Sequence, residues 1–448
     1  MKNVVTVFLS HRRRILLVQR SDRVGSYRGR WAGISGYVEQ NEEPLKRAVK
    51  EISEEVNLAS DSVSLKKAGR PFPVLDEGLG TLWVVHPFLF ATRNPHISLD
   101  WEHNAHRWIA RKDLHKFETV PKLEEALDRV LDDYSMVGLP HPAVQAELTE
   151  IREDRVHGAS EISRRSLRAM RLGAELTSAT TPADLFRELK VFGVELTSTH
   201  PNMAPLTNLV GRLLYLIAEK TRKEADVHEF KLTVKKICDQ LIEESVRASH
   251  QVALHGSDLM QDQTTIFTHS RSATVFETFK VAASVGRRIR VIVTESRPLF
   301  EGRVVAQELC GLGVPVNLAV DAAMGYMMET ADICVVGADS VLSDGSVVNK
   351  IGTFPLAMSA HQHNKPFYVL CEKSKFNLRS VYEAEREMEE RDEAEVLPDQ
   401  HRRFLTVRNP YFDTTPAALV SKLITVDGAL SREQLPKLFI ETLSETYL

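Results

Sequence analysis

The stretch Gly36–Leu58, GYVEQNEEPLKRAVKEISEEVNL, decides how the first part of this 448-residue chain is read. From about Glu43 the apolar residues Leu45, Ala48, Val49, Ile52 and Val56 recur at three- and four-residue steps, which predicts an amphipathic helix with one buried stripe. Lys50, Glu51, Glu54 and Glu55 fall on the opposite face. Residues three and four apart are helix neighbours, so Glu51 is expected beside both Glu54 and Glu55, with three carboxylates converging on one spot. Like charges so close repel unless a cation sits among them. Hard divalent ions such as Mg2+ or Mn2+ take oxygen ligands and keep waters for the phosphates of a substrate, so this cluster suits pyrophosphate chemistry. Taken alone, E-x-x-E-E on a helix is usually a solvated face; the residues upstream change that reading.

Gly36, five residues, Glu42, seven residues, Lys50-Glu51-Ile52, then Glu54-Glu55 and Leu58 resembles the Nudix box. Two positions depart from it. Lys50 stands where the family has Arg, keeping the charge and losing the planar fork. Asn57 stands where the family has Gly, and Asn is the next residue type most tolerant of a left-handed backbone. RVGSYRGRWAGISGYVE before the box and EHNAHRWIARKDL after it look like the family's flanking segments, so the resemblance spans about Met1 to Asp133. It implies an α+β Nudix fold and Mg2+- or Mn2+-dependent hydrolysis of a nucleoside diphosphate derivative. By the same resemblance Glu51, Glu54 and Glu55 would bind metal, Glu54 and Glu55 would be catalytic, and Glu102 would be a further ligand or general base. The bland reading of Glu102 is a surface loop carboxylate. His103 and His106 read as solvated loop histidines, since no three-ligand zinc spacing accompanies them.

Composition sets the frame. A chain this long predicts two or three domains. Its 43% hydrophobic and 26% charged residues are ordinary for globular proteins, and a formal charge of −4 gives no reason to expect nucleic acid as a direct partner. The opening MKNVVTVFLSHRRRILLVQRSD lacks the marks of a signal peptide, and no segment has the roughly 18 to 20 unbroken apolar residues of a membrane helix. Cys238, Cys310, Cys334 and Cys371 are far apart without C-x-x-C spacing, which points to a reduced, cytoplasmic setting.

All four tryptophans, Trp31, Trp83, Trp101 and Trp108, lie in the first quarter of the chain. That shift in composition predicts a boundary: an α+β domain over 1–135 and a linker over 136–149, where Met136–Pro142 carries Gly and two Pro. A helical subdomain is expected over 150–255. Residues 256–448 alternate short β-branched runs with helix-length segments, the pattern of an α/β Rossmann-like parallel sheet. The charge-dense run Glu383–Gln400 reads as a solvated helix or mobile insertion.

In this second part THSRSATV, VTESRP, DAAMGY, VGADSVLSDGSVVNKIGT and NPYFDTTPAALV follow one another, each where a strand is expected to end. Ligands of parallel sheets bind at strand C-termini. Small residues there let backbone N–H groups approach an anion, Lys350 offers a point charge suited to phosphate, and Asp339 can meet a sugar hydroxyl or carry a proton.

These segments, with IREDRVHGASEISRRSL from about Glu150, resemble the family that unites regulatory subunits of translation initiation factor 2B with methylthioribose-1-phosphate and ribose-1,5-bisphosphate isomerases. By that resemblance Asp339 matches the catalytic aspartate, Asn349 and Lys350 the substrate-binding pair, and His157-Gly158-Ala159 the phosphate loop. Ser270 and Arg271 join Gly158, Asn349 and Lys350 as the residues expected to hold a phosphorylated sugar or nucleotide. Three positions depart from the isomerases: Ser270 replaces the thiol after Thr-His, His200-Pro201 replaces Arg-Pro, and Glu301-Gly302 replaces Gln-Gly. An unactivated hydroxyl cannot match a thiol in proton exchange near neutrality. Binding or sensing is therefore favoured over standard isomerisation, with a non-catalytic regulatory subunit as a further alternative. The resemblance also implies a homodimer through the C-terminal domain.

Overall fold

A computed structural model gives the structure of residues 1–448 apart from 13, 77, 132–140, 155–156, 222–225, 382–389, 398–404 and 445–448. The chain divides into two compact units, Met1–Met136 and Val137–Leu448.

The first unit contains β1 (Lys2–His11), β2 (Arg14–Arg20), β3 (Trp31–Ala32), β4 (Ile34–Tyr37), α1 (Pro44–Val56), β5 (Val63–Ala68), β6 (Phe72–Asp76), β7 (Thr81–Thr92), β8 (His103–Ile109) and α2 (Leu123–Asp128). One mixed sheet runs β3-β2-β1-β7-β5, with β4 added to β1, β6 to β7 and β8 to β2. Among its described residues, β1 and β7 are the strands that pair in parallel. Strand alternation separates the two apolar layers. Val5, Val7, Leu9, Leu16 and Val18 pack with Ala48, Ile52 and Val56 of α1, whereas Phe8, Ile15 and Leu17 pack with Leu123, Ala126 and Leu127 of α2. The stripe expected from the sequence is thus the face of α1 that meets the sheet. Pro44 opens the helix, and Asn57 closes it in the left-handed conformation, φ 54°, which asparagine tolerates better than most residues.

The second unit begins with α3 (Pro142–Glu153), α4 (Ala159–Leu176), α5 (Pro182–Thr199), α6 (Ala204–Thr221) and α7 (Val227–Ser257). Helix α3 corrects the linker expected over 136–149. Val144, Leu148 and Ile151 recur at helix spacing and are buried in the same core as α4 and α5, so Pro142 acts as a first-turn proline and not as a breaker. The rest of that segment, up to residue 140, lies outside the described residues.

Next come β9 (Thr265–Thr268), α8 (Ala273–Ser284), β10 (Arg290–Thr294), α9 (Glu301–Gly311), β11 (Val316–Ala319), α10 (Met324–Met328), β12 (Ile333–Val336), β13 (Ser340–Val341), β14 (Val347–Lys350), α11 (Thr353–Gln362), β15 (Phe367–Leu370), β16 (Phe412–Thr415), β17 (Lys422–Thr425), β18 (Gly428–Leu430) and α12 (Leu435–Ser444). The main sheet has the order β11-β10-β9-β12-β15-β17-β18, parallel except for the last pair. Strand order reverses direction between β9 and β12, and their following loops meet there; such a reversal is where open α/β sheets bind ligands. A separate antiparallel sheet, β13-β14-β16, carries Asn349 and Lys350. The sequence pattern does not announce it, because its strands are two to four residues long.

Within the charge-dense run Glu383–Gln400, residues 390–397 form irregular structure with one short 3-10 turn at Glu393–Glu395, and Glu395 accepts from Asn409 Nδ2 at 2.9 Å and from the Tyr411 hydroxyl at 2.8 Å. A solvated α-helix is therefore not what this part forms; the remainder of the run lies outside the described residues.

Candidate functional site

In the first unit, α1 lies beside the loop end of β4, and this contact assembles the carboxylates. A β-carbon at Gly36 would fall inside the Glu51 carboxylate, so only glycine admits that side chain here. Glu51 Oε1 accepts from Arg47 Nε at 2.7 Å, one helical turn earlier. Glu55 Oε1 accepts from the backbone N–H of Ser35 at 3.2 Å. Its other oxygen, Oε2, is buried without a hydrogen-bond partner, with His103 Nε2 at 3.5 Å and His103 Nδ1 held 3.1 Å from Asp100.

Glu51 and Glu55 are 5% and 3% exposed and line the floor of a cavity; Glu54 is half exposed. Burial pushes Glu55 well above the usual carboxylate range, and the neighbouring Glu51 adds to it. Burial also raises Glu51, opposed by the Arg47 guanidinium. Glu102 is raised by burial and then by Asp100. His103 corrects the expectation of a solvated loop histidine: it begins β8, is 7% exposed, and burial holds its imidazole below the ordinary value. His106 sits half-buried in the same strand.

The cavity has a volume of about 580 Å3 and is lined by Glu51, Glu54, Glu55, Glu102, Arg20 and Arg47, with Tyr27, Tyr37, Trp83 and Trp101 as aromatic walls. Among the described residues no three His, Cys, Asp or Glu side chains are grouped closely enough to hold a metal ion as they stand. Glu51 is engaged by Arg47 in this arrangement. The donor set still fits a hard cation: all are carboxylate oxygens, and buried Glu55 Oε2 lacks a partner that a cation would supply.

In the second unit, the loop after β9, the loop after β12, strand β14 and the start of α4 meet at a cavity of about 110 Å3. Gly158, Ser270, Arg271, Asp339, Asn349 and Lys350 all line it, so the residues singled out in sequence share one site. Lys350 Nζ lies 2.9 Å from Glu301 Oε1 and 3.9 Å from the centre of the Tyr411 ring. Ser270 Oγ donates to Glu301 Oε2 at 3.5 Å, and the Ser270 N–H donates to Ser296 Oγ at 2.8 Å. Arg271 pairs with Glu308 at 2.8 Å, and Asn349 Nδ2 donates to Thr353 Oγ1 at 3.1 Å. Burial pushes the Asp339 carboxyl up, opposed by Lys375 and Lys350. His269 is buried between Thr294 Oγ1 and the Ile351 carbonyl.

Residues 155–432, more than half of the chain, match the Initiation factor 2 subunit family. The chain belongs to that family. Residues 1–133 match the NUDIX domain, so an initiation factor 2 subunit family region follows a Nudix domain in one polypeptide. Similar proteins include ribose 1,5-bisphosphate isomerase of Haloferax volcanii, 33% identical over 68% of this chain and 94% of the relative. Methylthioribose-1-phosphate isomerase of a Synechococcus species is 32% identical over 61% of this chain and 82% of its own length. Among solved structures, translation initiation factor eIF-2B of Pyrococcus horikoshii OT3 superimposes with a TM-score of 0.56 at 30% identity, over 65% of this chain and 97% of that one.

Within the initiation factor 2 subunit family region, several site residues are not evident from the motifs. Glu372 does not line the cavity but holds residues that do: it is buried and accepts from Ser249 Oγ and Thr274 Oγ1 at 2.6 and 2.8 Å, with Lys375 Nζ at 3.7 Å. Tyr411 and Arg391 come from far along the chain. In the Nudix domain the missed residues are Arg47, Asp100 and His103; Arg47–Glu51 at i,i+4 is the one local signal that points to any of them. His200, which replaces an expected arginine, is buried and is not among the residues lining this cavity.

Proposed function

We propose that the Nudix domain is a divalent-metal-dependent diphosphatase acting on a nucleoside diphosphate derivative, and that the C-terminal unit binds a phosphorylated sugar or nucleotide. The observation that carries the first half is the buried, unpartnered Glu55 Oε2 beside Glu51 on the floor of a cavity with Glu54 and Glu102. Glu54 and Glu55, joined by Glu51 when it leaves Arg47, would hold Mg2+ or Mn2+, which supplies charge neutralisation at phosphate oxygens and an activated water. Arg20 and Arg47 at the same cavity bind phosphate oxygens, and the aromatic walls hold the flat part of the substrate. The raised carboxyl of Glu102 accepts a proton at an oxygen once it is ionised, as a general base does. The backbone N–H of Ser35 holds Glu55 in place, and Asp100 orients the His103 ring beside it.

The test is a panel of nucleotide sugars, dinucleotides and nucleoside triphosphates assayed with and without Mg2+. Turnover that needs the metal and is lost in Glu54→Gln/Glu55→Gln supports the reading. Equal rates in the wild type and that double variant favour a non-catalytic regulatory or scaffolding protein.

A second reading, aldose–ketose isomerisation of a ribose phosphate, is supported by the isomerase relatives and by Asp339 beside Lys350 at the strand-order reversal of a sheet we read as Rossmann-like. Ser270 in place of a thiol weighs against it. Ketose phosphate formed from ribose 1,5-bisphosphate or methylthioribose 1-phosphate would establish it. We further read the C-terminal unit as the homodimerising part and the protein as cytoplasmic; the family resemblance and the unpaired cysteines support this.

A further inference from the structure

The C-terminal cavity contains cations, yet three of those that line it are already paired. Arg271 is 2.8 Å from Glu308, Lys375 is 3.7 Å from Glu372, and Lys350 is 2.9 Å from Glu301. The last pair differs in kind from the others. Glu301 is itself a lining residue, so its carboxylate sits where a ligand's anionic group would reach Lys350. It is also fixed from both sides. Ser270 Oγ donates to its second oxygen at 3.5 Å, and Ser270 is in turn held by Ser296. Lys350 is 5% exposed and lies over the Tyr411 ring, so its ammonium is confined to face Glu301.

We propose that Glu301 is a specificity-determining residue: its carboxylate occupies the place of a phosphate group on Lys350 and restricts this cavity to sugars that carry a single phosphate. This rests on the reading that the C-terminal unit binds a phosphorylated sugar. Away from Lys350, the first turns of α4 and α8 also line the cavity, through Gly158, Ala159 and Ser160 and through Ala273 and Thr274. Backbone N–H groups at such turns suit one phosphate. A second phosphate directed at Lys350 would meet the Glu301 carboxylate, and like charges at contact distance in a partly buried site repel.

Titration calorimetry of the full chain with ribose 5-phosphate and with ribose 1,5-bisphosphate, for the wild type and Glu301→Gln, tests this. The wild type is expected to bind the monophosphate about tenfold or more tightly than the bisphosphate. Glu301→Gln keeps the hydrogen-bonding shape, removes the charge and is expected to tighten bisphosphate binding by about tenfold or more, with the monophosphate little changed. Wild-type preference for the bisphosphate overturns the inference without any variant. So does unchanged bisphosphate affinity in a Glu301→Gln protein that melts like the wild type. If the wild type binds neither sugar, the phosphosugar reading itself fails and takes the inference with it.

Discussion

Gly36 and Glu51 share one space: the glycine's missing β-carbon is what lets the Glu51 carboxylate lie against β4 and receive Arg47. Gly36→Ala should therefore displace Glu51 and unsettle its neighbour Glu55, while the far end of a flexible side chain gives way at small cost to the fold. Diphosphatase kcat/KM is expected to fall by about a hundredfold, the scale of an ångström-sized misplacement of a catalytic group. The midpoint of thermal unfolding should move by only a few degrees. Steady-state kinetics beside a melting curve checks the split.

Glu372 ties together α4, α7, α8 and the turn that carries Lys375 through Ser160, Ser249, Thr274 and Lys375. Replacing it with Gln removes one of the two carboxylates that act on buried Lys375, the other being Asp339, and a loss of about 1 to 3 kcal/mol in urea unfolding is expected. Despite burial, the surrounding donors hold the Glu372 carboxyl below the usual range, Lys375 first. Its stabilisation is thus present above the unfolded-state value and lost as pH falls through the folded one.

Asp413 works in the opposite sense. It accepts from the backbone N–H groups of Gly352 at 2.7 Å and Phe354 at 3.1 Å, but burial dominates and raises its carboxyl to about 6 from 3.8. Between those values the folded protein keeps a proton that the unfolded chain has released. Stability contributed by Asp413 therefore declines as pH rises through that window. Asp413→Asn should flatten the wild-type dependence over the same range in denaturant titrations.

The four cysteines should separate by reactivity. Burial pushes Cys238, Cys334 and Cys371 up to about 12, so almost no thiolate forms at neutral pH, whereas Cys310 is exposed on α9. Maleimide is expected to add once per native chain, at Cys310, and four times after denaturation; mass spectrometry counts the adducts.

How much of this was legible in the sequence differs between the two units. Helix α1 was legible because five apolar residues at helix spacing leave one solution. The burial of Glu51 and Glu55 was not, since a carboxylate on the polar face looks solvated until β4 and His103 are placed over it. His103 shows the same limit: three residues from Asp100 in sequence, it owes its role to Glu55, which is 48 positions away and beyond any local pattern. In the second unit the order of small-residue segments located Ser270, Asp339 and Lys350 at strand ends, and the family resemblance located Gly158, which caps α4. The pairing of Lys350 with Glu301 depends on a tertiary contact between β14 and α9 that no spacing rule reaches. Pro142 misled because a proline after a glycine-containing stretch reads as a break, while α3 uses it in its first turn.

The central claim is that the carboxylates of α1 form a working metal-dependent site, and the most direct test is hydrolysis by the full chain of a nucleoside diphosphate derivative, with and without Mg2+, for the wild type and Glu54→Gln/Glu55→Gln. The account predicts turnover that requires the divalent ion and falls by about two orders of magnitude or more in the double variant. Failure of the wild type to hydrolyse any member of the panel with Mg2+ or Mn2+, or an unchanged rate in the double variant, would contradict it.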